Sequence, residues 1–278
     1  SRIPQQITAS AAWTSGVSLI LIAGLWQYRR AHLAFGDQLN KLLPYKSLVT
    51  SLQNDPEFLL REYYAQRQHQ IPLRSGAFVA ADRPQLVVFT DFECPACYCN
   101  SLAVRRQVAE AFEGRLAVLV RHYPLCNACN SNVKSEFHQN ACDAAYAAEA
   151  ARLQGGETAF WQMHDLLFRN RKKLGKGLYR SLALQIGLDA DLLLRDMDGE
   201  NVRQIVASDI ELAKKLDVKG TPAMFLDGRR ITELCQGPVF WQAFAQAWLS
   251  AHQDGRDVVA EMRRELTLSG AGTPSSVD

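Results

Sequence analysis

The chain predicts an α/β domain with a strand–helix–strand unit, a long helical insertion and a late β-hairpin, preceded by an N-terminal transmembrane helix. Three observations predict it. Two β-rich apolar runs, 85–90 and 116–123, flank one helical pattern with short joints, which is the signature of a parallel βαβ unit with a right-handed crossover. From about 135 to 216 apolar residues recur at three- and four-residue spacing. The N-terminal stretch from Ile3 to Tyr28 contains no Asp, Glu, Lys, Arg or His. With 278 residues, 47% hydrophobic and 22% charged, the composition excludes wholesale disorder, collagen and a polytopic membrane protein. The net charge of +2, from 31 basic and 29 acidic residues, gives no large single-sign field, so no nucleic-acid partner is expected.

The first element is a membrane anchor over 1–30. Ala9 to Trp26 is mostly small and apolar, and at ~1.5 Å per residue it spans ~27 Å, enough for a hydrocarbon core. Trp13, Trp26 and Tyr28 stand near its ends as interfacial aromatics, and Arg29 and Arg30 close it. A signal peptide would place its basic residues first and a small-residue cleavage site after them, so an uncleaved anchor is expected. The positive-inside rule would put Arg29 and Arg30 in the cytoplasm, while the cysteines favour an oxidising compartment, and the two expectations conflict. The start at Ser1 leaves room for earlier spans.

Residues 31–75 read as a helical linker. Asp55-Pro56-Glu57 is a helix start, with Asp as N-cap and Pro at the first helical position. The main domain covers 76–254. Gln85–Thr90 is a buried strand, and the periodicity of 97–113 is a helix closed by Gly114. Ala223–Leu226 runs into an Asp227-Gly228 turn with Arg229-Arg230-Ile231 as partner strand. Pro238 to Leu249 is an amphipathic helix, and 255–278 is a flexible tail.

Cys94-Pro95-Ala96-Cys97 falls where the first strand gives way to the first helix. A helix N-terminus offers unpaired N–H groups and about half a positive charge, which stabilise a thiolate and lower its pKa from ~8.5 toward ~3.5–7. Two intervening residues let the second sulfur reach the first across one turn, so a mixed disulfide can be resolved internally. Cys94 is therefore the nucleophile and Cys97 the more buried resolving thiol. A second C-x-x-C, Cys126 to Cys129, raises the alternative of a four-thiolate zinc site, although the two pairs lie further apart than in zinc ribbons.

Val218-Lys219-Gly220-Thr221-Pro222-Ala223 precedes the late strand. With this segment and the early C-x-x-C, the sequence resembles the thioredoxin superfamily. The resemblance implies a thioredoxin fold, with Pro222 as a cis-proline against the active disulfide and Thr221 as the residue whose backbone meets substrate. The helical insertion and Phe89-Thr90-Asp91-Phe92-Glu93-Cys94-Pro95-Ala96-Cys97 resemble the DsbA-like branch over roughly residues 70 to 252. Tyr123-Pro124-Leu125, Cys129-Asn130, Phe137-His138 and Asn140-Ala141-Cys142 look like DsbA-type domains fused behind a vitamin K epoxide reductase-like membrane domain. The resemblance further implies a structural disulfide between Cys129 and Cys142. Cys99 with Cys126 is the next pair expected, and a second redox pair, Cys126–Cys129, is the rival reading. Cys235 is expected to be a small buried hydrophobe.

The sequence departs from the pattern at two places. The buried acid six residues before the nucleophile is replaced by Val88, which leaves Asp91 or Glu93 as candidate proton relays, against the expectation that both lie in a solvated loop. Ala96 cannot stabilise the thiolate as the histidine inside the DsbA motif does, so a less acidic Cys94 and a less oxidising disulfide are expected. His138 and His164 are expected to be structural.

The function expected is a membrane-anchored, extracytoplasmic (periplasmic) thiol–disulfide oxidoreductase. Its substrates would be cysteine-containing proteins, and no bound cofactor is needed because the cysteine pair is the redox group. A membrane redox partner, such as a vitamin K epoxide reductase-like domain, follows from the resemblance, and the direction of electron flow stays open. The alternatives are a zinc- or copper-binding module on a thioredoxin-like scaffold and a non-catalytic interaction domain.

Overall fold

The computed structural model describes residues 45–73, 83–112, 114–134 and 137–254. The anchor predicted over 1–30 and the tail predicted over 255–278 lie outside them. Among the described residues no helix is long and apolar enough to cross a membrane. The chain divides into two compact units, Ser1–Asn54 and Asp55–Asp278. The described part of the first is a helix over 45–53 that exposes Tyr45, Leu48 and Val49.

The second unit opens with α1 (Pro56–Ala65), started as its sequence dictates: Asp55 accepts from the amides of Glu57 and Phe58, and Pro56 takes the position where a missing N–H costs nothing. Its Tyr63 hydroxyl donates to the Leu226 carbonyl at 2.8 Å. Pro56–Ala65, which lies within the segment read as a linker, thus packs into the core of this unit. Then follow β1 (Gln85–Thr90), α2 (Pro95–Phe112) and β2 (Ala117–His122). The insertion is α3 (Ala141–Arg169), α4 (Lys176–Gln185), α5 (Ala190–Asp198) and α6 (Glu200–Lys215). The chain closes with β3 (Ala223–Leu226), β4 (Arg229–Arg230), a 3-10 turn (Glu233–Gln236) and α7 (Pro238–Asp254).

The sheet order is β2-β1-β3-β4, with β1 parallel to β2 and antiparallel to β3. Strand alternation explains why β1 is one apolar run. Leu86 and Val88 face a core shared with Leu59, Tyr63, Phe112, Phe240 and Trp241, while Val87 and Phe89 face Ala213, Leu216 and Phe225 on the other side. The hairpin turn carries Asp227 at φ +44° and Gly228 at φ +78°. A Cβ on Gly228 would lie 2.0 Å from the His69 carbonyl oxygen, so this turn admits only glycine. The insertion packs its alanine-rich α3 in a separate apolar cluster with Phe92, Cys94 and Cys97. The Gly155-Gly156 pair breaks α3, with Gly156 at φ +64°.

Two buried polar ties join sheet to insertion. Arg121 of β2 donates to Asp209 of α6 at 2.9 Å, and Asp209 also accepts from the His122 amide at 2.9 Å. His122 Nε2 lies 2.6 Å from Glu149 of α3, both fully buried. The insertion is thereby held in one orientation over the end of β1, where the cysteines emerge.

Candidate active site

Cys94 closes the turn after β1 and Pro95 begins α2, two residues earlier than the apolar periodicity alone suggests. The Cys94 amide donates to the Asp91 carbonyl at 3.2 Å, and its own carbonyl accepts from Tyr98. The sulfur therefore lies at the helix N-terminus. Both thiols are free. Cys97 donates its amide to Cys94 Sγ at 3.4 Å, and the Cys94 thiol lies 3.6 Å from the Thr221 carbonyl oxygen.

The two sulfurs differ in acidity. A hydrogen bond from the Cys97 thiol, opposed by partial burial and helped by the amides of Cys97 and Ala96, lowers Cys94 to about 6. Burial and the neighbouring Cys94 push Cys97 far up. Cys94 is thus the more readily ionised of the two sulfurs, the asymmetry that a dithiol with one attacking and one resolving sulfur needs.

The Thr221–Pro222 peptide is cis and follows Val218, whose amide is held by the Ala213 carbonyl at 2.9 Å. Thr221 thus meets Cys94 from the far end of the chain. Beside this loop opens a groove of about 570 Å³, lined in part by Ala96, Cys99, Asn100, Pro222, Met224 and Trp241. The structure therefore brings together Cys94, Cys97, Thr221 and Pro222.

The other predicted cysteines divide differently. Cys129 and Cys142 form a disulfide with S–S 2.02 Å and Cα–Cα 6.1 Å. Cys99 and Cys126, expected as a second bridge, are both free thiols, and that expectation is corrected. Cys99 is exposed on the groove side of α2, whereas Cys126 is buried in the insertion cluster beneath the Gln139 carbonyl. Cys99 lies on the helix and Cys126 in the loop after β2, and the packing of those two elements, which spacing does not reveal, turns the thiols to different surroundings. The Cys126–Cys129 redox pair is likewise not formed, because Cys129 is engaged by Cys142. Among the described residues no group of three or more His, Cys, Asp or Glu could hold a metal ion, and the four-thiolate arrangement needs a Cys129 that is not available. Cys235 is buried as a small apolar side chain, its thiol 3.5 Å from the Leu59 carbonyl.

Asp91 and Glu93 are not solvated loop acids. Asp91 is 2% exposed and accepts from the amides of Glu93 and Leu125, each at 2.7 Å, and from His138 Nδ1 at 2.9 Å. Glu93 accepts from the Asn140 amide at 2.7 Å, at the start of α3. Both carboxylates are occupied in tying the active-site turn to the loop after β2 and to the insertion. Their relation to Leu125, His138 and Asn140 is long-range, so the sequence carried no sign of it.

These features define a class: a thioredoxin-fold domain with an asymmetric pair of cysteines at a helix start. A DSBA-like thioredoxin domain model matches residues 85–248, and the chain belongs to that family. A probable disulfide bond formation protein D of Bacillus cereus is 24% identical over 191 residues, 66% of this chain and 81% of that protein. The Na(+)/H(+) antiporter NhaA 3 of Salinispora tropica is 33% identical over 171 residues, 62% of this chain and 24% of the antiporter. The chain thus spans about a quarter of the length of that relative. That longer relative is named as an antiporter, and neither it nor the Bacillus cereus protein carries a vitamin K epoxide reductase-like name. The crystal structure of oxidised BdbD from Bacillus subtilis shares the fold, with TM-score 0.51 and 18% identity over 66% of this chain and 97% of that one.

Proposed function

We propose that this chain is a membrane-tethered, extracytoplasmic thiol–disulfide oxidoreductase that exchanges disulfides with cysteine-containing proteins, with Cys94 as attacking sulfur, Cys97 as resolving sulfur and Thr221-Pro222 as the substrate-contacting loop. The observation that carries the reading is the asymmetry of the two sulfurs: one acidic at a helix N-terminus beside the Thr221 carbonyl, the other more deeply buried and held as a thiol. An oxidising compartment is supported by the Cys129–Cys142 disulfide. Tethering is supported by the uncharged stretch from Ile3 to Tyr28 and by the antiporter relatives. A membrane redox partner, of which a vitamin K epoxide reductase-like domain is one kind, would restore the dithiol to its working state.

The chemistry follows from the positions. The Cys94 thiolate attacks one sulfur of a substrate disulfide; a Cys94–substrate S–S bond forms and the other substrate sulfur leaves as thiolate. Cys97 then attacks Cys94 Sγ, the Cys94–Cys97 bond forms, and the second substrate thiolate departs. The protein is oxidised by two electrons and the substrate reduced by two. Run backward, the same steps oxidise a substrate dithiol. The groove beside Pro222 receives the chain on either side of the reacting cysteine.

The test is trapping. Cys97→Ala should accumulate a mixed disulfide between Cys94 and a reduction-sensitive protein partner, visible on non-reducing gels, and Cys94→Ala should accumulate none. Absence of any adduct with Cys97→Ala, with the variant folded, would overturn the reading.

A further inference from the structure

Cys97 must lose a proton when it attacks the mixed disulfide and regain one when it is the leaving sulfur. The position six residues before Cys94, where the superfamily pattern expects an acid, holds Val88, and Asp91 and Glu93 are committed to backbone amides. Another side of Cys97 is not apolar. It borders a cavity of about 20 Å³ whose lining includes Thr90, Ser101, Arg105, Trp161 and His164. A cavity holds a water once it offers roughly 10–15 Å³ and two to four polar partners. Among valines, the lining includes Thr90, Ser101, Cys97 and His164, residues able to supply those partners.

His164 is 2% exposed and wedged among Phe92, Phe160, Trp161 and Phe168. Its Nδ1 lies 3.0 Å from Asp165 Oδ1, and Arg105 Nη1 reaches the same oxygen at 2.5 Å. An ionised Asp165 keeps the hydrogen on Nδ1 and leaves Nε2 with a free lone pair. Cys97, the cavity, His164 and Asp165 therefore run in series from the buried thiol to a carboxylate that is 29% exposed.

We propose that His164 is the proton-relay residue for Cys97, acting through one water in this cavity. The inference rests on the thiol–disulfide reading above. As Cys97 attacks Cys94 Sγ, its S–H proton passes to the water and a proton of the water passes to Nε2. The Cys94–Cys97 bond forms, the Cys94–substrate bond breaks, and the electron pair leaves on the substrate sulfur. The imidazolium, stabilised by Asp165, gives its proton to solvent. In the reverse direction it protonates the departing Cys97. The charged and titratable groups around the ring are Asp165 on its own helix, Cys97 and Arg105 from α2, and His122 from β2, itself bonded to Glu149. Burial, with Arg105 and His122 adding to it, keeps His164 neutral near pH 7 despite Asp165, as a proton acceptor must be.

The experiment uses the full reduced chain and one equivalent of a coloured aryl disulfide. A first wave of aryl thiolate reports attack by Cys94 and a second reports resolution by Cys97; Cys94→Ala and Cys97→Ala assign the waves. His164→Gln should leave the first wave unchanged and slow the second about a hundredfold at pH 7. It should also replace a second-wave rate that levels off above neutral pH with one that keeps rising with hydroxide. A folded His164→Gln with the wild-type second wave and pH profile overturns the proposal. If His164→Gln does not fold, Asp165→Asn decides: a slowed second wave with a changed profile supports the relay, and a wild-type profile overturns it. Loss of the first wave in the wild type would be a failure of the oxidoreductase reading instead.

Discussion

The Cys97 amide donates to Cys94 Sγ at 3.4 Å, so the residue proposed to resolve the mixed disulfide also stabilises the thiolate proposed to begin it. The same helix turn that brings the two sulfurs together aims an unpaired N–H at the first of them. Acidity and reach are thus one geometric property of Cys-Pro-Ala-Cys at a helix start.

Reactivity of Cys94 should follow this geometry. The rate of its alkylation by iodoacetamide should rise with pH around a midpoint near 6. Cys97→Ala should move that midpoint upward, because the largest single stabilisation of the thiolate is the Cys97 thiol hydrogen bond. A midpoint near the ordinary ~8.5 in the unaltered chain would contradict this account.

The potential of the pair should sit between those of thioredoxin and DsbA. A Cys94 near 6 is less acidic than the ~3.5 of DsbA and closer to the ~7 of thioredoxin. Equilibration with glutathione should therefore give a value more reducing than about −120 mV and more oxidising than about −270 mV. A result outside these bounds would show that some group other than the helix terminus and Cys97 sets the thiolate energy.

Asp91 should matter for stability more than for the thiolate. Asp91→Ala strips a buried acceptor from the amides of Glu93 and Leu125 and from His138. The expected loss is about 2–4 kcal/mol, read from the urea midpoint, since each orphaned buried donor costs about 1–3 kcal/mol.

The Cys129–Cys142 bridge closes a sequence separation of 13. Replacing both cysteines by alanine should lower stability by about 3 kcal/mol on the chain-entropy model. Thiol counting under denaturing conditions should find Cys99 and Cys126 free in the unaltered protein, and a bridge between them would refute the pairing described above.

The buried pair Arg121–Asp209 is the main polar tie between β2 and the insertion, with side chains 6% and 0% exposed. Asp209→Ala leaves a buried guanidinium without its counter-ion, though still bonded to the Pro72 carbonyl, and the His122 amide without its acceptor, and should cost about 3–5 kcal/mol. A charge-free replacement of both partners by apolar residues should cost far less, which a double-mutant cycle would measure.

The secondary structure was legible where local chemistry is decisive. Gln85–Thr90 is a continuous β-branched and aromatic run because helices cover both faces of its sheet, and its bounds in the fold are those of the run. Asp55-Pro56 starts a helix because an N-cap acceptor and a fixed φ act within three residues. The Cys94–Cys97 pair was legible for the same reason: its chemistry needs only a helix start and one turn. The facing of Cys99 and Cys126 was not, because both sit beside elements whose relative packing decides which surface each meets. Asp91 read as a loop acid, yet partners 34 and 47 residues away make it a buried staple.

By itself the sequence determined the alternation of elements, the position of the dithiol at a helix N-terminus, and the late Thr221-Pro222 segment. The first two depend on periodicity and short-range hydrogen bonding, and the third on the resemblance to the thioredoxin superfamily. The tertiary structure alone decided that Cys99 and Cys126 stay apart as free thiols, that Asp91 meets Leu125 and His138, and that His164 borders the cavity beside Cys97. Those relations join residues far apart in the chain. They exist only once the insertion has been docked on the sheet by the Arg121–Asp209 and His122–Glu149 pairs, which buried charge tolerates in one orientation.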